Sequence, residues 1–255
     1  MNDFERQSKI LEILEKEKSV SVNKLVQLLF VSPATVRRDL TEMAKKGLIK
    51  RTHGGAILHA SANEETSIVI REEMNKKEKR MIASEAAKYI TNNQSMFLDS
   101  SSTVGAIIPF LNDFHYLTII TNGLNTALKI SQTTKFKVYI PDGFINSNSN
   151  SIIGDFTSNA ISHLNCDLFI FSTAGFDIET GFTEATIEAS KIKRNMINRS
   201  TKRILLIDSS KFGKKYLSNT CDIKDIDILI TDKKPEQKYL DYLSQFDLEV
   251  VICEK

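Results

Sequence analysis

The chain has 255 residues, long enough for a small module beside a domain of ordinary size with its own core, and its formal net charge is only +2. Three widely spaced cysteines, four histidines without ligand spacing and no apolar run of signal-peptide or bilayer length point away from a disulfide framework, a metal or other cofactor and a membrane, and toward a cytoplasmic protein. The charge is uneven: residues 1–57 carry 11 Lys and Arg against 7 Asp and Glu, a net of +4, while the remainder carries 23 against 25, a net of −2, so the first quarter suits an anionic partner.

Three helices are expected over residues 1–46. Phe4, Ile10, Leu11, Ile13 and Leu14 give the first an apolar face, and Ser21 caps a short second helix carrying Val22, Leu25, Val26, Leu28 and Leu29. Phe30-Val31 leads to Ser32, a natural N-cap, and Pro33 at the first helical position wastes no hydrogen bond. In this third helix Val36, Leu40 and Met43 form a docking stripe, while Thr35 and Arg38 point the other way with Arg37 flanking. Gly47 ends the helix, and Leu48 to Leu58 reads as a hairpin with a basic strand, Lys50-Arg51, and a Gly54-Gly55 turn. Two helices joined by a short turn and followed by a basic hairpin form a winged helix-turn-helix. A solvated amphipathic helix is the bland alternative for Ser32–Leu40 by itself; the Gly47 stop, the wing and the charge split favour a recognition helix.

Residues 59–75 turn polar and small and read as a linker. Lys76 to Arg80 then opens a helix running to about Ile90, its mixed charges reading as a solvated face. Beyond it, strand-like runs at Met96–Leu98, Leu117–Ile120, Lys137–Ile140, Asp167–Ser172, Arg203–Ile207, Ile226–Ile230 and Glu249–Ile252 alternate with helices near 103–111, 123–130, 155–163, 185–199 and 235–246. Such alternation predicts a mainly parallel sheet covered on both faces. Asn146 to Ser151 reads as a mobile polar loop, and Cys166, Cys221 and Cys253 as small reduced core residues. The expected fold class is α/β, with a small winged helix-turn-helix domain at 1–58, a linker at 59–75 and a larger α/β domain at 76–255.

The run Val31-Ser32-Pro33-Ala34-Thr35-Val36-Arg37-Arg38-Asp39-Leu40, then Gly47-Leu48, then Arg51-Thr52-His53-Gly54-Gly55-Ala56, resembles the N-terminal signature of the DeoR family of bacterial transcriptional regulators. The resemblance continues through Phe97 to Thr103, Thr121-Asn122, Asp167 to Gly175, Gly181-Phe182-Thr183, Asp208 to Gly213 and Thr231-Asp232. It implies a sugar-phosphate-isomerase-like effector domain and a repressor of a sugar or carbohydrate operon, relieved by a phosphorylated sugar or related small anionic metabolite. No enzymatic activity is expected.

Thr35, Arg37 and Arg38 are the expected contacts to bases and phosphates of double-stranded operator DNA, with Ser32 and Pro33 fixing the helix start. Lys50, Arg51 and His53 are expected on backbone or minor groove. Asp39 reads as a partner that orients Arg37, Arg38 or a wing residue. One such module makes few contacts, so a homo-oligomer, dimer or tetramer, is expected. Hydroxyls and N–H groups of Ser100 to Thr103, at a strand end leading into a helix, make an anion site. Asp99, Ser100, Ser102, Thr103, Thr121, Asn122, Gly175 and Lys211 are expected to gather there, at the carboxyl ends of strands, with Lys211 supplying positive charge. Ser101, Asp142 and Ser172 depart from the family pattern, and Ser101 would be strained if its position needs positive φ. Glu188 and Lys191 are second-tier candidates, with an i,i+3 ion pair as the alternative. Two other readings stay open: an active isomerase carrying a DNA module, which lacks an Asp-Gly-Ala-Asp-like pair after Phe171, and a ligand-independent DNA binder whose α/β domain only oligomerises.

Overall fold

Apolar residues at helical spacing build the first of two units, Met1–Met74 and Asn75–Lys255, in a computed structural model that describes residues 3–45, 47–57 and 67–254. Helix α1 (Asp3–Glu17) turns its Ile10, Leu11 and Leu14 inward, where they are at most 1% exposed. After β1 (Ser19–Ser21) comes α2 (Val22–Leu29), whose N-cap Ser21 Oγ accepts the Lys24 N–H at 3.2 Å. Helix α3 (Pro33–Lys45) follows, its Val36, Leu40 and Met43 fully buried against α1 and α2 as the stripe requires. Gly47 beyond it takes φ +71, and its N–H reaches Ala44 O at 3.0 Å.

Strands β2 (Lys50–Thr52) and β3 (Gly55–Ile57) form the wing in antiparallel register, Lys50 opposite Ile57 and Thr52 opposite Gly55. The turn is His53-Gly54, with Gly55 already inside the strand. Its reason for being glycine is crowding: β1 pairs with β3, and a Cβ on Gly55 would meet Val20 O at 2.0 Å. The resulting sheet, ordered β1-β3-β2, ties the wing back to the helices. Residues 59–66 of the linker expected at 59–75 lie outside the described residues. Its end is the short helix α4 (Ile68–Glu73), whose Ile70, with Met74, belongs to the core of this first unit. The Phe4 side chain also lies outside the described residues.

The second unit opens with α5 (Lys76–Ala87) and then builds β4 (Ser95–Leu98), the one-turn α6 (Ser102–Gly105), β5 (Thr118–Thr121), α7 (Leu124–Thr133) and β6 (Lys137–Tyr139). A hairpin follows, β7 (Phe144–Asn146) with β8 (Ser151–Ile153), and then α8 (Asp155–Ser162) and β9 (Cys166–Phe171). Next come β10 (Gly175–Asp177), β11 (Gly181–Glu184), α9 (Ile187–Asn198), β12 (Ser200–Leu206), β13 (Ser218–Cys221), β14 (Ile228–Thr231), α10 (Gln237–Leu243) and β15 (Glu249–Ile252).

Seven of these strands make one sheet in the order β15-β14-β12-β9-β4-β5-β6, every pair parallel. Alternate residues serve opposite faces. Met96 and Leu98 enter one core with Ile82, Ala83 and Ala86 of α5 and Ile130 of α7; Phe97 enters the other with Ile161 of α8, Ile192 and Met196 of α9 and Leu243 of α10. Both faces are covered, which is why these strands read as continuous apolar runs. Each fully buried Phe or Leu contributes about 1.5–3 kcal/mol.

Three expectations are corrected. Residues 146–151 are not an irregular loop but the turn and strand ends of the β7–β8 hairpin: Asn150 O accepts the Leu124 N–H at 2.9 Å, and buried Ser149 and Ser151 bring their Oγ atoms to 2.7 Å. The helix near 103–111 is broken into α6 and a 3-10 segment at Ile108–Asp113 containing Pro109. The charged opening of α5 is not wholly solvated, because Lys79 is buried. A second small sheet, β10-β11-β13, is antiparallel and was not anticipated.

Candidate functional site

The winged-helix unit presents its expected contacts on α3 and the wing. Ser32 Oγ accepts the Thr35 N–H at 3.1 Å and lies 2.9 Å from Thr35 Oγ1, so the cap fixes the helix start and holds Thr35. Ser32, Pro33, Arg37, Arg38, Lys50 and His53 are exposed. Arg51 is engaged on its own unit: its Nη1 donates to Thr41 Oγ1 at 2.7 Å and to Arg37 O at 3.5 Å, bracing the wing against α3.

Asp39 does not orient Arg37, Arg38 or the wing. It is buried at 1% exposure and takes a two-pronged contact from Arg6 of α1, Nε to Oδ2 and Nη2 to Oδ1 at 2.9 Å. Arg6 Nη2 also donates to Asp3 Oδ1 at 2.7 Å, and Arg38 Nη2 lies 3.6 Å from that same oxygen. Hydrogen bonds from Asp39 and then Asp3 hold the Arg6 guanidinium above its ordinary range. The roll of α3 is thus locked to α1 by a buried ion pair. The sequence showed a basic residue in α1 but not which acid it would meet.

The second unit has its polar cluster where the sheet topology places it. From β4 the order runs one way through β5 and β6 and the other way through β9, β12, β14 and β15, so the connections diverge between β4 and β9. Ligands bind at the carboxyl edge beside such a switch point. Asp99, directly after β4, bridges it: Oδ1 accepts the Ser101 N–H at 2.8 Å and Oδ2 the Ser172 N–H, beyond β9, at 3.1 Å. Ser101 has φ −73 and caps α6 through the Val104 N–H at 3.2 Å, so the strain expected for a serine there is absent. Ser100 and Ser102 are half-buried on either side, and Thr103 Oγ1 is buried with no hydrogen-bond partner.

Thr121 and Asn122 are buried beside this edge, and both are occupied with the backbone. Thr121 Oγ1 accepts the Gly123 N–H at 3.1 Å, and Asn122 Nδ2 donates to Ile152 O at 3.2 Å. A Cβ on Gly123 would meet Ser100 Cα at 2.9 Å, so these two loops touch. Lys211 reaches the same edge from beyond β12, its Nζ donating to Ser172 Oγ and Thr173 O, each at 2.8 Å. Gly175 is different: it lies in β10 under the chain at Lys214, whose O would be 2.3 Å from an added Cβ, and its close packing explains the glycine. Asp142 is exposed, with its carbonyl accepting from Thr157 Oγ1 at 2.7 Å. Lys191 pairs with Asp155 at 2.7 Å, not with Glu188.

Three polar residues at this edge, Lys193, Glu184 and Asn75, escaped the sequence reading. Lys193 of α9 is buried with its Nζ 3.0 Å from Asp99 Oδ2, 2.6 Å from Ser172 O and in contact with Glu184 Oε1. Burial opposes its charge, but Asp99 and Glu184 outweigh that and keep the ammonium above its ordinary range. Asn75, at φ 50 before α5, donates to Asp208 Oδ1 and Ser210 Oγ, each at 3.2 Å. Burial raises the Asp208 pKa, while Lys211, the Ser210 hydroxyl and Lys79 lower it further, so its carboxyl ends below the usual range. Asp232 accepts the Ser209 N–H at 2.6 Å and closes the same loop. The cluster couples hydroxyls, a helix start and a lysine ammonium around one strand edge, a donor set suited to an anion bearing hydroxyl groups.

The buried cysteines fit a core role: burial pushes the Cys166 thiol up to about 12 and raises that of Cys221 as well. Among the described residues no His, Cys, Asp and Glu group has metal-site geometry, and no helix is long and apolar enough to cross a membrane.

Comparison with known proteins extends over both units. Residues 6–62 match the DeoR-like helix-turn-helix domain and residues 74–233 the DeoR C terminal sensor domain. The chain is 35% identical over 254 residues to the HTH-type transcriptional regulator GolR of Listeria innocua, covering 100% of each. It is 32% identical over 253 residues to the glycerol-3-phosphate regulon repressor of Escherichia coli K12, covering 99% of this chain and 100% of that one. A structural likeness to ribose 5-phosphate isomerase from Plasmodium falciparum is slight, with TM-score 0.39 and 18% identity over 52% of each chain. The relatives that match over the full length are regulators rather than enzymes, and the chain belongs to the DeoR family of DNA-binding transcriptional regulators.

Proposed function

We propose that the chain represses a sugar-related operon and leaves its operator when a phosphorylated sugar, or a related small anionic metabolite, binds at the carboxyl edge of the parallel sheet. The observation that carries this reading is the Lys211 ammonium, held by Ser172 Oγ and Thr173 O beside the Asp99–Thr103 helix start. Lys211 and the N–H groups and hydroxyls of Ser100, Ser102 and Thr103 would take the phosphate, and Asp99, Thr121 and Asn122 would face the sugar hydroxyls. The repressor named for the glycerol-3-phosphate regulon, similar along its whole length, supports a phosphorylated effector.

Thr35, Arg37 and Arg38 would read the major groove, with Lys50 and His53 on the backbone or minor groove and Ser32, Pro33 and Arg51 setting the two elements. Operator affinity calls for a homo-oligomer, a dimer or tetramer, on repeated half-sites. The site of action is the cytoplasm, where bacterial operators lie. Release requires that the effector bind two arrangements of the chain unequally. The joint ending at residue 75 suits that role, because Asn75 opens the sensor unit while bonded to the Asp208–Ser210 loop.

Thermal unfolding of the full chain with phosphorylated sugars, the same sugars unphosphorylated and inorganic phosphate tests the ligand class. One phosphorylated compound at a hundred times its Kd stabilises the sensor by about 2.7 kcal/mol, and its unphosphorylated form does not. No shift across triose to hexose phosphates would leave an oligomerising DNA binder as the better account.

A further inference from the structure

Phe30 ends α2 in the left-handed region at φ 55 and ψ 43, its N–H bonded to Val26 O at 3.0 Å. Its ring is 92% exposed, more than any other large apolar side chain among the described residues. Both features work against the folded chain. A bulky residue at positive φ is a steric outlier that glycine would relieve, and a ring left in water gains nothing from folding. Strain of this kind persists where function uses it.

The position says what that function is. Phe30 stands two residues before Ser32, the cap that starts α3, and Gln27, Ser32, Pro33, Ala34, Arg37 and Arg38 are exposed around the same turn and first helical turns. One aromatic ring and the half-exposed Leu28 among small, polar and cationic side chains fall short of the contiguous apolar centre that a protein partner needs. It has the composition of a surface that meets nucleic acid, where apolar side chains contact the thymine methyl group in the major groove. Resting on the DNA-reading role of α3, we propose that Phe30 is a specificity-determining residue: its ring packs on the 5-methyl group of a thymine flanking the bases that α3 reads. The left-handed turn is then retained because it delivers the ring to DNA, at the expense of the free protein's stability.

The test uses the full chain and the duplex it binds most tightly from a random-sequence pool. If no duplex is selected, the DNA-reading role fails and the Phe30 contact with it. Wild type and Phe30→Gly are then compared on that duplex and on the same duplex with deoxyuridine replacing thymidine at the flanks. Phe30→Gly unfolds at a higher temperature than wild type, yet binds the thymine duplex about tenfold more weakly. Deoxyuridine weakens wild type and leaves the variant unchanged. Equal affinity of the two proteins for the thymine duplex overturns the proposal, as does an equal deoxyuridine penalty in both. A loss of self-association in Phe30→Gly with DNA affinity intact assigns the ring to a second copy of the chain and overturns it too.

Discussion

At the scale of single residues, two neighbours on α3 have opposite surroundings. Arg38 is exposed, and the proposed function gives it to DNA, whereas Asp39 is buried against Arg6. Arg38→Ala is therefore expected to abolish specific binding to the selected duplex with an unchanged far-ultraviolet spectrum and unfolding temperature; unchanged affinity at moderate salt would remove Arg38 from the interface. Asp39→Ala does the reverse first. It leaves the buried Arg6 with only the exposed Asp3 as an acid partner, a loss of about 3 kcal/mol in denaturant unfolding, while Arg37→Ala at an exposed position changes stability by less than about 0.5 kcal/mol. The chemistry of Asp39 was visible in the sequence but its partner was not, because the choice between Arg6, Arg37 and Arg38 depends on how α1 crosses α3. Lys193 was hidden for a related reason. A lysine on a charged helix reads as solvated, and only the meeting of β4, β11 and α9 buries it between Asp99 and Glu184.

At the scale of elements, legibility followed how much of each element's reason lies within it. The third helix carries its own cap, stripe and stop, and its start at Pro33 was readable to the residue. The central strands of the large sheet were readable as apolar runs because both of their faces are covered, and the edge strands β6 and β15 by the apolar residues they keep on the inner side. Strand β1, with the sequence Ser-Val-Ser, has no such signal and exists because β3 pairs with it. The same holds for β10 and β13, short and partly polar, whose pairing to β11 is a tertiary fact. Gly55 shows the difference: it suggested a turn, but its constraint is the 2.0 Å approach of Val20 O. Gly55→Ala should then separate β1 from β3 and destabilise the winged-helix unit by more than the roughly 1 kcal/mol of an ordinary strand substitution, measured by unfolding of the full chain. Gly54→Ala, where an added Cβ meets nothing within 4 Å, serves as the control and should be near neutral.

At the scale of the whole molecule, charge placement sets how stability answers to pH. The Ser95 hydroxyl and N–H hold Asp167 below the ordinary 3.8, and at Asp227 burial raises the pKa but Arg203 outweighs it and lowers it. Asp208 is lowered likewise. A carboxyl depressed in the folded state stabilises the fold above its unfolded pKa and loses that contribution as pH falls through the folded one. Unfolding temperature should therefore be insensitive to these groups above about pH 5 and fall steeply below about pH 4, and Asp227→Asn should flatten part of that fall. A profile in which acid stabilises the chain would show that these carboxyls are not held in their charged form.

In the proposed function the first unit reads DNA, the second senses a metabolite, and Lys211 is assigned to the effector, so the proposal stands or falls on this residue. The decisive measurement is the affinity of the full chain for its selected duplex, with and without the phosphorylated sugar that stabilises it, in wild type and Lys211→Ala. Wild type is expected to lose at least about tenfold in DNA affinity when the sugar phosphate is added, equivalent to about 1.4 kcal/mol of coupling. Lys211→Ala is expected to bind DNA as tightly as wild type and to keep that affinity in the presence of the effector. DNA affinity that is indifferent to the effector in wild type, or an undiminished response in Lys211→Ala, would contradict the assignment.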